Sequence, residues 1–78
     1  GAQEAEARVF IERALQNPKM KTALGDALSE RCRALLDQRL ALIMHARGNW
    51  DLAVCNDWAR QMKADLYRLA AEVAQALP

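Results

Sequence analysis

The sequence Arg47-Gly48-Asn49 separates two long amphipathic segments, and this arrangement constrains the fold more than any other feature. Gly48 suits the left-handed position just past a helix end, where a glycine pays no Cβ penalty. Asn49 is a good N-cap for a following helix, and Asp51 in its first turn suits the helix dipole. The pattern is typical of a short connection between antiparallel helices, so we predict a long helical hairpin.

Apolar side chains repeat at helical spacing on both sides of this turn. The two stripes are Met20, Leu24, Leu28, Cys32, Leu36, Leu40 and Ile43, and Val54, Trp58, Met62, Leu66, Leu69, Val73 and Leu77. Folding about Gly48 makes residues face each other when their numbers add up to about 97, given the same rise per residue in both helices. Leu40 should then meet Trp58, and Trp58 should belong to the core. We expect the helix to continue through Gly25, since one internal glycine costs only about 1 kcal/mol; a break at Gly25 is the less favoured alternative.

A shorter helix precedes the hairpin. Asn17-Pro18 marks the boundary, because the residue before proline avoids helical geometry and proline is favoured in the first helical turn. We therefore predict an all-α fold of three helices, near 3–16, 18–47 and 50–77, in one domain over residues 1–78. Gly1-Ala2 resembles the remnant of a removed tag and carries no weight.

Composition narrows the range of functions. The net charge of +1 does not favour nucleic acid as a partner. No apolar run approaches the roughly 20 residues of a membrane span, so no membrane partner is expected. Cys32 and Cys55 lie too far apart along the hairpin to form a bridge, which predicts free thiols and a cytoplasmic location. We expect no metal or cofactor, because the single His45 has no companion ligands near it in sequence.

The candidates for catalysis all have a structural explanation. His45 near a helix end suits the helix dipole. Asp57 and Asp65 should pair across the hairpin with Arg39 and Arg33, and no nucleophile–base pair or phosphate loop is present. We therefore predict no enzyme and no catalytic residues.

A secondary candidate is a basic surface, formed by Arg31, Arg33, Arg39 and Arg47. Acidic residues interrupt these arginines, which favours a solvated mixed face.

The first helix is too short to cover the whole hairpin. It should cover the half remote from the turn and leave the turn-proximal half bare. The candidate interface residues are Leu35, Leu42, Met44, Trp50 and Met62. Leu35 and Leu42, two turns apart, should form a second apolar seam, and Trp50 either anchors a partner or closes the end of the bundle. An uncovered apolar surface of this size is typical of an interface, so we expect a homodimer to complete the bundle.

The leading functional hypothesis is a non-enzymatic protein–protein interaction module, such as a small adaptor, inhibitor or regulator. The alternative is a small nucleic-acid-associated regulator that gains a basic surface by dimerising. A third hypothesis is a helical-bundle enzyme that holds an anionic substrate with arginines.

Overall fold

The structure is a computed structural model that describes residues 1–48 and 52–78. In these ranges the chain forms three helices and no strand: α1 (Ala2–Gln16), α2 (Pro18–Arg47) and α3 (Leu52–Ala76). Each helix packs against the other two, and the longest dimension is 42 Å. The all-α fold of three helices is confirmed. The predicted Asn49 cap and the predicted helix start at residue 50 lie outside the described residues.

The boundary between α1 and α2 lies where Asn17 caps the second helix. Asn17 has extended backbone angles, and its side-chain oxygen accepts hydrogen bonds from the backbone N–H groups of Lys19 and Met20 at 3.0 and 3.2 Å. Pro18 occupies the first turn, where its missing N–H costs nothing. This cap is as predicted.

The other end of α2 lies at Gly48, as predicted, but with a different backbone conformation. Gly48 has φ −90° and ψ 18°, so the expected left-handed conformation is wrong. Its backbone N–H donates a hydrogen bond to the carbonyl oxygen of His45 at 2.9 Å. The helix therefore ends in a tightened last turn, in which the hydrogen bond spans three residues instead of four.

The helix α2 is not continuous, because Gly25 breaks it. Gly25 has φ 80° and ψ 167°, which lie outside helical geometry and in a region that side-chain-bearing residues avoid. The prediction of a helix that continues through Gly25 is therefore wrong. The helical propensity of the surrounding residues is high, but the chain still changes direction at the one position where the backbone allows it without a Cβ penalty.

The core lies at the end of the molecule remote from the turn. Three large side chains, those of Ile11, Cys32 and Val73, are completely buried, and each comes from a different helix. The rest of the buried cluster is Ala14, Leu24, Leu35, Leu66 and Leu69. Both cysteines are free, as predicted.

The register of the hairpin differs from the prediction. Arg31 pairs with Glu72, and the ring of His45 lies against that of Trp58; in both pairs the residue numbers add up to 103. The two helices are therefore shifted by about six residues, roughly 9 Å, from the expected register. Trp58 meets His45 instead of Leu40.

Trp58 and Leu40 also lie outside the core. They are 45% and 58% exposed, so the prediction that they face each other in the core is wrong. A stripe with strict four-residue spacing rotates by about 40° per step, because 3.6 residues make one turn. Between Leu28 and Leu40, and between Leu66 and Val54, three such steps amount to about 120°. Both stripes therefore turn away from the core as they approach the turn.

We predict that Gly25→Ala lowers the free energy of unfolding by about 1–3 kcal/mol, because alanine is strained at these backbone angles. An added Cβ would meet no atom within 4 Å, so the loss reflects backbone strain alone. Urea denaturation followed by circular dichroism measures it. A gain of about 1 kcal/mol would instead indicate a continuous helix, in which alanine is the better residue.

Candidate interaction surface

The largest exposed apolar side chains gather around the turn. Leu40, Met44, Val54 and Trp58 are 58%, 66%, 44% and 45% exposed, and together we name them the turn-proximal surface. Among the described residues only one other large apolar side chain, Tyr67, is exposed to a comparable degree, at 38%. Single exposed apolar residues are ordinary, whereas a concentration of them at one end is typical of a binding surface.

The short first helix accounts for this exposure. The N-terminal end of α1 brings Glu4 beside Leu42 and Ala59, where it helps to line a recess between α2 and α3. The core cluster extends from this end of α1 to the distant end of the bundle. The first helix therefore reaches further towards the turn than the predicted half of the hairpin. Closer to the turn, no third helix is present among the described residues.

The recess has a volume of about 140 Å³ and an apolar lining. It is bounded by Glu4, Leu35, Leu36, Arg39, Leu42, Ile43, Ala59, Met62 and Leu66. Two of its lining residues fill little of the space: Ala59 is small and exposed, and the charged end of Arg39 favours water. The hairpin is consequently less well filled here than at Cys32 and Val73.

A wider cleft of about 470 Å³ lies between α2 and α3, lined by Gln38, Ala41, His45, Trp58, Gln61, Met62 and Asp65. The rings of His45 and Trp58 meet edge to face, with centroids 5.9 Å apart and an interplanar angle of 71°. This contact holds the indole of Trp58 in place while leaving it partly exposed. His45 and Arg47 also lie in the last turn of α2, the end of a helix at which the dipole favours basic side chains.

The predicted interface residues have different positions. Leu35 is only 6% exposed and belongs to the core, so its assignment to an uncovered seam is wrong. Leu42 is half-buried at the recess, and Met62 is half-buried against the core. Met44 is exposed. Trp50 lies outside the described residues. Whether Leu42, Met44, Trp50 or Met62 contacts a partner stays a prediction.

The correction at Leu35 has the same geometric origin as that at Leu40. The core face of α2 follows Leu28, Cys32, Leu35, Arg39 and Leu42, whose spacing alternates between four and three residues. Alternating spacing holds a face nearly constant, with a drift of only about 20° per seven residues. Leu35 therefore replaces Leu40 on the inward side.

The four candidate arginines do not form one basic surface. Arg31 makes a bidentate ion pair with Glu72 on α3, at 2.8 and 3.1 Å. Arg33 pairs with Glu30, Arg39 lines the recess and Arg47 lies exposed in the last turn of α2. They thus have separate surroundings.

The two candidate carboxylates, those of Asp57 and Asp65, pair within α3. Their partners are Arg60 and Arg68, each three residues further along, so the predicted pairs with Arg39 and Arg33 across the hairpin are wrong. The register shift explains this, because Arg39 and Arg33 no longer lie opposite these carboxylates.

The pKa shifts of Cys32, Glu72 and Arg31 follow from burial and from ion pairing. Burial raises the pKa of the Cys32 thiol, which disfavours the reactive thiolate. Hydrogen bonds from Arg31 lower the pKa of Glu72, and the same contact raises the pKa of Arg31. Within the described residues, no three metal-ligating side chains come together, and none of the helices has the length and apolar character needed to cross a bilayer.

The chain matches no family model, no curated protein and no solved structure.

We predict that the Arg31–Glu72 pair stabilises the fold above the ordinary glutamate pKa of about 4.3. Because folding lowers the pKa of Glu72, this contribution is lost as the pH falls through the folded-state value. Glu72→Gln should therefore weaken the dependence of unfolding free energy on pH in the acid range, as measured by urea denaturation between pH 3 and pH 7. Glu6→Gln is the control, since Glu6 forms no ion pair within the described parts of the chain. Equal acid dependence in wild type and Glu72→Gln would contradict the prediction.

Proposed function

We propose that this protein is a non-enzymatic interaction module, a small helical adaptor, inhibitor or regulator that acts as a homodimer through its turn-proximal surface. The observation that carries the proposal is the clustering of Leu40, Met44, Val54 and Trp58 at one end of the molecule. The free cysteines agree with a cytoplasmic location, which we include in the proposal.

The chemistry of this surface favours a protein partner. Tryptophan and methionine are enriched at the centres of protein interfaces, and Trp58 is already oriented by its contact with His45. Preorganisation of this kind lowers the entropy lost on binding. The adjacent recess and cleft are concave parts of the surface next to these exposed side chains.

The other two hypotheses find less support in the arrangement of charges. A phosphate backbone or an anionic substrate requires several cations on one surface. Arg31 and Arg33 are each engaged by a carboxylate, and the net charge of the chain is +1.

Sedimentation velocity at protein concentrations from about 1 to 100 μM tests the proposal; this range brackets affinities of about −8 to −5 kcal/mol. We expect wild type to form a dimer in this range. Met44→Ser should raise the dimer dissociation constant by about tenfold or more, because each dimer loses two buried apolar side chains of about 1.5–3 kcal/mol each.

Tyr67→Ser is the matched control, since Tyr67 is exposed but lies outside the turn-proximal surface. It should leave the dissociation constant unchanged. A wild-type chain that stays monomeric throughout the range would contradict the proposal, as would equal effects of Met44→Ser and Tyr67→Ser.

A further inference from the structure

The side of α2 that faces away from the core carries a second regular pattern. Asp37, Leu40, Met44 and Arg47 follow one another at intervals of three, four and three residues. This alternation is the spacing of a coiled-coil seam, which presents one face to a partner helix. All four side chains are exposed. We name this set the outer seam.

The outer seam has an apolar centre and oppositely charged ends. Leu40 and Met44 are the two most exposed large apolar residues among those described. Asp37 lies before them and Arg47 after them, and neither forms an ion pair within residues 1–48 and 52–78. The seam has an acid at one end and a base at the other. Two copies that run in opposite directions therefore bring opposite charges together at both ends.

We propose that the outer seam binds the outer seam of a second copy of this chain, with the two α2 helices antiparallel. This inference rests on the proposed function and specifies the partner and the register of that contact. Leu40 packs against the partner's Met44, and Asp37 pairs with the partner's Arg47. Two-fold symmetry repeats both contacts, as an isologous interface requires.

The charges select the antiparallel orientation. In a parallel pair at the same register, Asp37 would lie beside the partner's Asp37, and Arg47 beside the partner's Arg47. Like charges in direct opposition are destabilising. The antiparallel pair replaces both repulsions with attractions.

The apolar residues select one antiparallel register. A shift by one heptad would place Asp37 against the partner's Leu40, or Arg47 against the partner's Met44. Either shift buries a charge beside an apolar side chain, without an oppositely charged partner. In the proposed register the two-fold axis crosses at the level of residue 42. Ala41, a small exposed residue at the edge of the seam, lies beside the partner's Ala41 and allows close approach.

Charge reversal tests this register. Asp37→Arg and Arg47→Asp each leave two like charges facing each other at both ends of the seam. We expect each variant alone to self-associate at least about tenfold more weakly than wild type. An equimolar mixture of the two variants should recover a heterodimer, because the arginine introduced in one chain would then face the aspartate introduced in the other. The unchanged Arg47 of the first variant and the unchanged Asp37 of the second form the other pair. Sedimentation velocity and native mass spectrometry measure both effects.

A matched pair of reversals on α1, Glu6→Arg and Arg13→Asp, is the control. Glu6 and Arg13 are exposed and two turns apart, and both should be neutral for association. Circular dichroism checks that every variant keeps its helices.

The outcomes separate this inference from the proposed function. If wild type and both seam variants are equally dimeric, the proposed register of the outer seam is wrong, and the comparison of Met44→Ser with Tyr67→Ser decides separately whether the turn-proximal surface forms the dimer. If both variants dissociate but their mixture does not recover a dimer, the antiparallel pairing of Asp37 with Arg47 is overturned. If wild type itself is monomeric, the proposed function and this inference fail together.

Discussion

The fold depends on the burial of α1 in the groove between α2 and α3. Ile11 and Ala14 are completely buried there, against Cys32 and Val73. Full burial of a side chain such as Ile11 is worth about 1.5–3 kcal/mol, a large part of the stability of a domain this small. With 15 residues α1 spans about 22 Å, whereas the 25 residues of α3 span about 37 Å. The well-packed core therefore ends where α1 ends, and the remainder of the hairpin has two helices instead of three.

The break at Gly25 divides α2 into two parts that contribute to different surfaces of the molecule. The part before it, capped by Asn17, contributes Leu24 to the cluster around α1. The part after it, from residue 26 to Arg47, carries the rest of the inward face and all of the outer seam. The glycine at φ 80° allows the chain to change direction between these two parts without a Cβ penalty.

The sequence was sufficient to predict the three helices and the ends of α2, because Asn17-Pro18 and Gly48 mark those ends by local backbone chemistry. It was insufficient for the faces of the helices. Leu35 and Leu40 both continue an apolar pattern that begins at Leu28. Only the packing of α1 against α2 shows that Leu35, and not Leu40, faces the core. The predicted register was wrong for a related reason. The apolar stripes of α2 and α3, with their four-residue spacing, rotate around their helices in the same way. Their residues can therefore be paired in the sequence at a register that the helices do not adopt. Helix propensity could not decide whether α2 breaks at Gly25. The cost of a glycine inside a helix is small, so tertiary contacts decide whether the helix continues or breaks.

The ambiguity between Leu35 and Leu40 follows from a property of α2 itself. Its inward positions 28, 32, 35, 39 and 42 and its outward positions 33, 37, 40, 44 and 47 have the same alternating spacing, offset by five residues. Five residues correspond to about 140° around the helix, so α2 has two seams on well-separated sides. Apolar residues on a second side of a helix favour a second contact, because burial removes them from water. Within the chain, α1 and α3 cover the inward seam. In the described residues the outer seam stays exposed, and its reversed charges at Asp37 and Arg47 are the basis for the proposed pairing with a second copy of this chain.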